Sequence, residues 1–375
     1  MECYLDNCAT TKVYREVADE IYRIMLEEYG NPSSLHKKGR DAEGIMNSAR
    51  ADIASVINAT PDEIYFNSCA SEGNNQVLRH FKTGHIITTA IEHPSVGKTV
   101  RELADRGLET TILPTDGEGR ISLDELKRAL RRDTMLVSIM HVNNEIGGIN
   151  DLQAIGDIIR SSGARARFHA DCVQSFLKLP IDVKAMGLDY LTASAHKAHG
   201  PKGIGMIYIK KGLKLDSLIT GGGQEKGLRA GTHNVPYIAG FGKACRMIQP
   251  KMEENYKKVS LFKESLYNAL RTEPRFKLNG ALEGFSPYIL NVSFKGFRAE
   301  ILLRLLEEKG VYVSTGSACS AKNMKDSHVL TALGLDREEL QGSIRICFSD
   351  TTTPDDIEMA KAGFEYALSF AGRVK

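Results

Sequence analysis

The sequence has no apolar stretch approaching membrane-spanning length, and its start, Met1-Glu2-Cys3-Tyr4-Leu5-Asp6, is acidic and lacks a signal-peptide core. A soluble, cytoplasmic protein with no membrane partner is therefore expected. There is no long Lys/Arg run, and a formal charge of +2 built from mixed signs leaves no footprint for direct nucleic-acid binding. The seven cysteines, at 3, 8, 69, 172, 245, 319 and 347, are odd in number and show neither paired spacing nor a C-x-x-C. They indicate no disulfide framework and no metal site, but small buried residues with room for one reactive thiol. Internal repeats and low-complexity linkers are absent as well. What the 375 residues do offer is enough chain, of ordinary apolar and charged content, for a large domain and a smaller one.

From Gly84 to Lys210 the pattern alternates. Strand-like runs at Ile86–Thr89, Thr110–Leu113, Met135–His141, Arg167–Ala170, Tyr190–Thr192 and Met206–Ile209 are separated by helical segments near Pro94–Asp105, Leu123–Arg132 and Leu152–Ser161. Ser122 and Glu125 have the spacing of a capping box. Such alternation predicts an α/β fold, a largely parallel sheet that binds ligands at its strand carboxyl ends. Beyond Gln249 the texture changes to a long charged helix, Met252–Arg271, then Tyr288–Phe294, a helix Ala299–Lys309, Val311–Ser314, Ser343–Phe348 and a closing helix capped by Thr353, Pro354 and Asp356. The expected organisation is a large domain over 14–250, a small α+β domain over 251–375, and an N-terminal segment 1–13 joining them.

Polar clusters fall at the strand ends. Tyr190–Thr192 runs into Ser194, Ala195, His196 and Lys197 ahead of a Gly-Pro-Lys-Gly bend, and Arg167–Ala170 runs into Asp171, Cys172, Val173 and Gln174. The strand-like Glu63–Phe66 leads to Ser68-Cys69-Ala70-Ser71-Glu72-Gly73, small residues that open a helix whose first N–H groups make an anion site. A lysine beside hydroxyl and imidazole donors, an acid and an amide on a neighbouring strand end, and a phosphate cup suit one ligand, pyridoxal 5'-phosphate (PLP). Lys197 would hold it as a Schiff base. Asp171 would keep its ring nitrogen protonated, Gln174 would bond the phenolic oxygen, and Val173 would pack on a ring face.

Cys319 sits in Thr315-Gly316-Ser317-Ala318-Cys319-Ser320, a run of small residues directly after a strand, rather than among Leu, Ile and Phe. A tether of about a dozen residues, from Thr315 to Asp326, has an end-to-end spread of about 19 Å, enough for a thiol to visit the cofactor and then a second protein. On the residues alone, an incidental exposed cysteine reads as readily as a catalytic one.

The ordered motifs Tyr-Leu-Asp-Asn-Cys-Ala-Thr-Thr at 4–11, Gly-Asn-Pro-Ser-Ser at 30–34, Glu-His-Pro-Ser-Val at 92–96, His-Val-Asn-Asn-Glu-Ile-Gly at 141–147, Ser-Ala-His-Lys at 194–197, Gly-Gly-Gly-Gln-Glu at 221–225, Arg-Ala-Gly-Thr at 229–232 and Thr-Gly-Ser-Ala-Cys at 315–319 span nearly the whole chain. Together they resemble the cysteine desulfurases of the NifS/IscS type, fold-type I PLP enzymes, in the branch with a long mobile catalytic loop. The resemblance implies Lys197 as the Schiff-base lysine, His93 over the pyridine ring, and Asp171 and Gln174 on the ring's polar atoms. It implies a phosphate cup of Ala70, Ser71, Ser194 and His196, completed by Thr232 from the second subunit of a homodimer. Asn144, also against the cofactor, and Arg345 would lie in the pocket for the substrate L-cysteine, where Arg345 suits a bidentate grip on its carboxylate. The implied products are alanine and a persulfide on Cys319, bound for an acceptor such as an iron–sulfur scaffold or a tRNA-thiolating enzyme, with His93 and Lys197 moving protons.

The chain departs from that pattern in places. Cys8, Cys69 and Cys172 stand where family members usually have small non-thiol residues, Ser71 replaces a threonine, and Ile-Cys-Phe-Ser-Asp follows Arg345 in place of a Gly-Arg ending. Thiols are tolerated as small hydrophobes at such sites; the alternative is a thiol relay near the cofactor. A selenocysteine lyase would share every cofactor residue. Another fold-type I lyase or aminotransferase would explain the PLP cradle but not the Cys319 loop, and a non-catalytic sulfur-transfer scaffold would not need its catalytic residues intact.

Overall fold

The computed structural model describes residues 2–315 and 326–371. A short first strand, β1 (Cys3–Tyr4), precedes a seven-stranded sheet made of β2 (Ile64–Asn67), β3 (His85–Thr89), β4 (Glu109–Leu113), β5 (Thr134–Ser138), β6 (Arg167–Asp171), β7 (Tyr190–Ser194) and β8 (Gly205–Ile209). Its order is β2-β8-β7-β6-β5-β3-β4, with every pairing parallel except the two made by β8. Because β8 alone is reversed, β2, β3, β5, β6 and β7 all end at the same edge. Strands β3, β7 and β8 are buried along their whole length, as strands covered by helices on both faces must be, which is why they lack a strict in–out alternation of apolar and polar residues. One face packs Ile53, Phe66, Phe168, Met206 and Phe241, and the other Val77, Ile86, Val100, Tyr190 and Ile207.

The expected alternation is present with trimmed ends. The helix expected to reach Arg132 stops at Ala129, because the Thr134 hydroxyl accepts from the Arg131 N–H at 2.8 Å and fixes a turn there. Strand β5 ends at Ser138, three residues short of the expected His141. Ser122 accepts from the Glu125 N–H at 3.3 Å, the forward half of the capping box.

The C-terminal part is a second layer. Strands β9 (Phe276–Leu278), β10 (Ile289–Phe294), β12 (Ser314–Thr315) and β13 (Ser343–Cys347) form an antiparallel sheet in the order β12-β13-β10-β9, while β1 pairs in parallel with β11 (Val311–Tyr312). Helices Met252–Leu270, Ala299–Glu308 and Pro354–Ala371 cover it, the last opened by a reciprocal cap in which Thr353 N–H donates to Asp356 Oδ2 at 2.8 Å and Asp356 N–H donates to Thr353 Oγ1 at 3.2 Å. Cys3, Leu5 and Cys8 of the N-terminal segment share this layer's core with Val292, Phe294 and Phe348. Among the described residues no helix is long and apolar enough to cross a membrane.

Candidate active site

The aligned strand ends surround a cavity of about 360 Å³. Strand β7 delivers Ser194 and, after a single helical turn, His196 and Lys197; β6 delivers Asp171, Val173 and Gln174; β2 leads to Cys69, Ala70 and Ser71 at the start of helix Ala70–His80. Strands β3 and β5 lead to His93 and to Met140 and Asn144, and β13 of the antiparallel sheet supplies Arg345. Every expected cavity residue is thus brought together except two. Thr232 is exposed and lines a separate hollow with Asn67, Ser68 and Arg229, so this chain's own Thr232 does not reach the cavity. Cys319 lies outside the described residues.

The turn that carries Lys197 is held from behind by His199, which takes a left-handed φ of 55°. Its ring stacks on Tyr14 at 4.3 Å between centroids, bonds the Lys12 carbonyl at 2.8 Å through Nδ1 and meets Asp350 at 2.8 Å through Nε2. So braced, Lys197 Nζ donates to the carbonyls of Cys8 and of Ala9, the latter at 2.9 Å. Burial, countered only in part by Cys8, lowers the Lys197 amine to about 8, so a useful fraction is the neutral nucleophile near neutral pH.

Asp171 is buried and fixed by two donors, Asn74 Nδ2 at 2.7 Å and the Val173 N–H at 3.0 Å. Asn74 also donates to Ser95 Oγ at 2.9 Å and accepts from Thr192, which makes it the hub that aims the carboxylate. His93 is both the cap of helix Pro94–Asp105 and a cavity residue: its Nδ1 accepts from the Ser95 N–H at 3.2 Å, which leaves the proton of the neutral ring on Nε2. Burial holds its pKa below the usual histidine value. His196, with Nδ1 at 3.2 Å from Thr10 Oγ1, is pushed down to about 4 by burial and by nearby lysines, Lys197 first.

In the phosphate cup the Ala70 N–H already donates to Ser194 Oγ at 2.8 Å. That bond frees the Ser194 O–H to donate, and the Ser71 hydroxyl and N–H stand next to it at the helix start, where N–H groups lack intrahelical partners. Gln174 lines the wall and donates to the Cys8 carbonyl at 3.1 Å. Arg345 is buried, with one amine 3.0 Å from the Asn144 carbonyl and another 2.9 Å from Asp6 Oδ1, while its Nε is buried without a partner. The three unusual thiols separate: Cys8 and Cys69 line the cavity, but Cys172 is turned into the core of the large sheet.

The comparisons agree with this geometry. The Aminotransferase class-V family profile matches residues 3–359. A cysteine desulfurase IscS of Methanosarcina thermophila is 41% identical over 361 residues, covering 95% of this chain and 89% of the relative. The chain belongs to the class-V aminotransferase family, among its cysteine desulfurases. A solved NifS-like protein superposes with a TM-score of 0.93 at 38% identity, covering 99% of this chain and all of its own. The structure of SspA in complex with cysteine follows at a TM-score of 0.83 and 34% identity, over 94% of this chain and 100% of that one.

The cysteine desulfurase site fits PLP, the family's cofactor, on its own donor set. It pairs an amine of lowered basicity with a strand-end carboxylate and a cup of hydroxyl, imidazole and N–H donors. Asp6 stands inside the motif at 4–11 and Asn74 in the helix after Ser71, and neither carries a local signal of its task. The carbonyls of Cys8 and Ala9 carry no side-chain signal at all.

Proposed function

We propose that the enzyme removes sulfur from L-cysteine as a persulfide on Cys319, leaving alanine, and passes it to an acceptor protein such as an iron–sulfur scaffold or a tRNA-thiolating enzyme. The observation that carries this reading is the meeting of Lys197, Asp171 and Arg345 around one cavity. PLP supplies the electron sink for the substrate's α-carbon when bound. Lys197 anchors it, Asp171 faces the ring nitrogen, Gln174 the phenolic oxygen, Val173 and His93 the ring faces, and Ser71, Ser194 and His196 the phosphate.

The Arg345 guanidinium, which lines the cavity, offers charge-assisted bonds to the substrate carboxylate, and Asn144 lines the same cavity. Lys197 would stand ready to hold the proton lost from the substrate's α-carbon, and the neutral His93 ring, with its proton on Nε2, to pass a proton to the substrate carbon that gains the electron pair. The Cys319 thiolate attacks the substrate sulfur; the carbon–sulfur bond breaks and its electron pair returns to the substrate carbon.

A homodimer in which Thr232 completes the partner's phosphate cup is supported by its exposure outside its own cavity, and by the exposed Tyr22, Met25, Leu26 and Tyr29 along one stretch of surface. The free thiols, most of them buried, suit a reducing cytoplasm. The test is a single turnover with labelled cysteine: alanine in solution and label on the Cys319 peptide are expected. Label lost as free sulfide with none on the protein sinks the persulfide reading.

A further inference from the structure

Cys8 and Cys347 meet beside the cavity. Cys347 closes β13 just after Arg345; its N–H donates to the Leu5 carbonyl and its own carbonyl accepts from the Asn7 side chain at 2.9 Å. This lays residues 5–7 along Cys347, with Asp6 bridged to it in parallel, and places Cys8, the next residue, in the same buried cluster. Both are buried, yet Cys8 also lines the cavity, and the charges of Lys178, Arg345 and Lys197 surround it.

The two thiols are not equivalent. Burial opposes ionisation of each, but at Cys8 the hydrogen bond from Cys347 and the three cations prevail and draw the thiol down, while Cys347 is pushed up. Cys8, which lines the cavity, thus has the thiol drawn down, and Cys347, which does not line it, stands behind with the thiol pushed up, the arrangement of an attacking and a resolving cysteine. The other unusual thiols lack it. Cys172 is buried in the core with its thiol pushed up, and Cys69 has the Ser68 hydroxyl at 3.6 Å as its neighbour.

We propose that Cys8 and Cys347 are a dithiol pair that accepts sulfane sulfur from a persulfide in the cavity and closes to a disulfide, releasing hydrogen sulfide. The Cys8 thiolate attacks the outer sulfur of R–S–SH, forming Cys8–S–SH as the old S–S bond breaks and its electron pair leaves with R–S⁻. Cys347 then gives up its proton and attacks the Cys8 sulfur; the Cys8–SH sulfur bond breaks, and hydrosulfide departs with that electron pair and takes up the proton. The sulfane sulfur is reduced by two electrons and the two thiols are oxidised by two. A dithiol reductant resets the pair. In turnover R is the enzyme's own persulfide-bearing cysteine, and for that sulfur source alone the inference rests on the reading above. Closure would remove the negative charge at Cys8 that supports protonation of Lys197, so the oxidised pair leaves a less basic amine in the cavity.

The cofactor-loaded protein is treated in parallel with L-cysteine and with inorganic polysulfide, without acceptor or reductant, then acid-quenched, alkylated while denatured and digested with trypsin. The expected product is a disulfide between the Met1–Lys12 and Ile346–Lys361 peptides, assigned by fragmentation to Cys8 rather than Cys3, with sulfide released in equal amount. In Cys347→Ser the added sulfur stays on Cys8 and no sulfide is released from it. Should that variant not fold, Cys8→Ala replaces it, and there Cys347 remains fully alkylatable after polysulfide. A link formed by polysulfide but not by L-cysteine upholds the pair and sinks the persulfide reading. Alanine and a Cys319 persulfide with Cys8 and Cys347 both alkylated as in untreated protein overturn the pair and uphold that reading, and added sulfur on Cys69 or Cys172 instead overturns the pair too.

Discussion

The Lys197 amine lies 2.9 Å from the main-chain oxygen of Ala9, so the lysine at the end of the seven-stranded sheet is positioned by the N-terminal segment that packs with the antiparallel sheet. Lys197→Ala should give a colourless protein that lacks the visible absorption of a lysine-bound cofactor and turns cysteine over at least ~10² times more slowly. A second readout needs no cofactor. The folded amine sits near 8 against 10.5 in the unfolded chain, so the unfolded state binds more protons between those values. The stability penalty of the buried amine is complete below about 8 and fades as pH rises toward 10.5. Apo Lys197→Met should therefore melt above apo wild type at pH 7, with the gap narrowing at high pH; a pH-independent gap would place the cause in packing.

Asp171→Asn tests the acid proposed to face the ring nitrogen. Asn74 Nδ2 and the Val173 N–H both donate to Asp171, so an amide there presents its own N–H₂ to one of two donors and can hold no proton on a pyridine nitrogen. The variant should fold and bind the cofactor, shown by its absorption and stoichiometry, but lose ~10²-fold or more in turnover. Wild-type turnover in a fully loaded variant would move the role elsewhere.

Much of this was legible in the sequence because buried parallel strands are short apolar runs and polar residues stop them. Ser194 to Lys197 and Asp171 to Gln174 announce themselves by that contrast, and the sheet's shared edge brings them together. The contacts that were illegible join residues far apart or use the main chain. Asp6 and Arg345 pair across almost the full length of the chain, and no local pattern ties one to the other. Asn74 looks like one more polar residue in a helix start until its neighbours on β6 and β7 are placed around it.

Glu92 precedes His93 and is buried, its Oε1 accepting from Thr89 Oγ1 at 2.8 Å and from the Met140 N–H at 2.9 Å while Oε2 has no partner. Burial pushes this carboxyl from 4.5 up to about 8. Between those values the folded state holds a proton that the unfolded state has lost, so wild type loses stability as pH rises through the interval. Glu92→Gln keeps the accepting oxygen and removes the titration. Relative to wild type it should gain on the order of a few kcal/mol between pH 5 and pH 9, read from denaturant midpoints at several pH values. A difference that does not change with pH would mean that Glu92 stays ionised and is paid for by a contact on its Oε2 side.

Cys319→Ser separates substrate binding from sulfur removal. The groups proposed to receive cysteine, Lys197 and Arg345 with Asn144, line the cavity without Cys319, so the variant should still bind L-cysteine and change the cofactor's absorption on doing so. Serine's hydroxyl is not ionised near neutral pH and is a poor nucleophile toward sulfur, so neither alanine nor protein-bound sulfur should accumulate, a loss of at least ~10³ against wild type. The unusual thiols sharpen the measurement. Cys8 lines the same cavity with its thiol drawn down, so a variant that still makes alanine and carries sulfur on Cys8 would show that Cys8 can attack the substrate directly. Silence at both positions, with wild type carrying its first sulfur on Cys319, makes Cys319 the sole entry point and leaves Cys8 downstream of it.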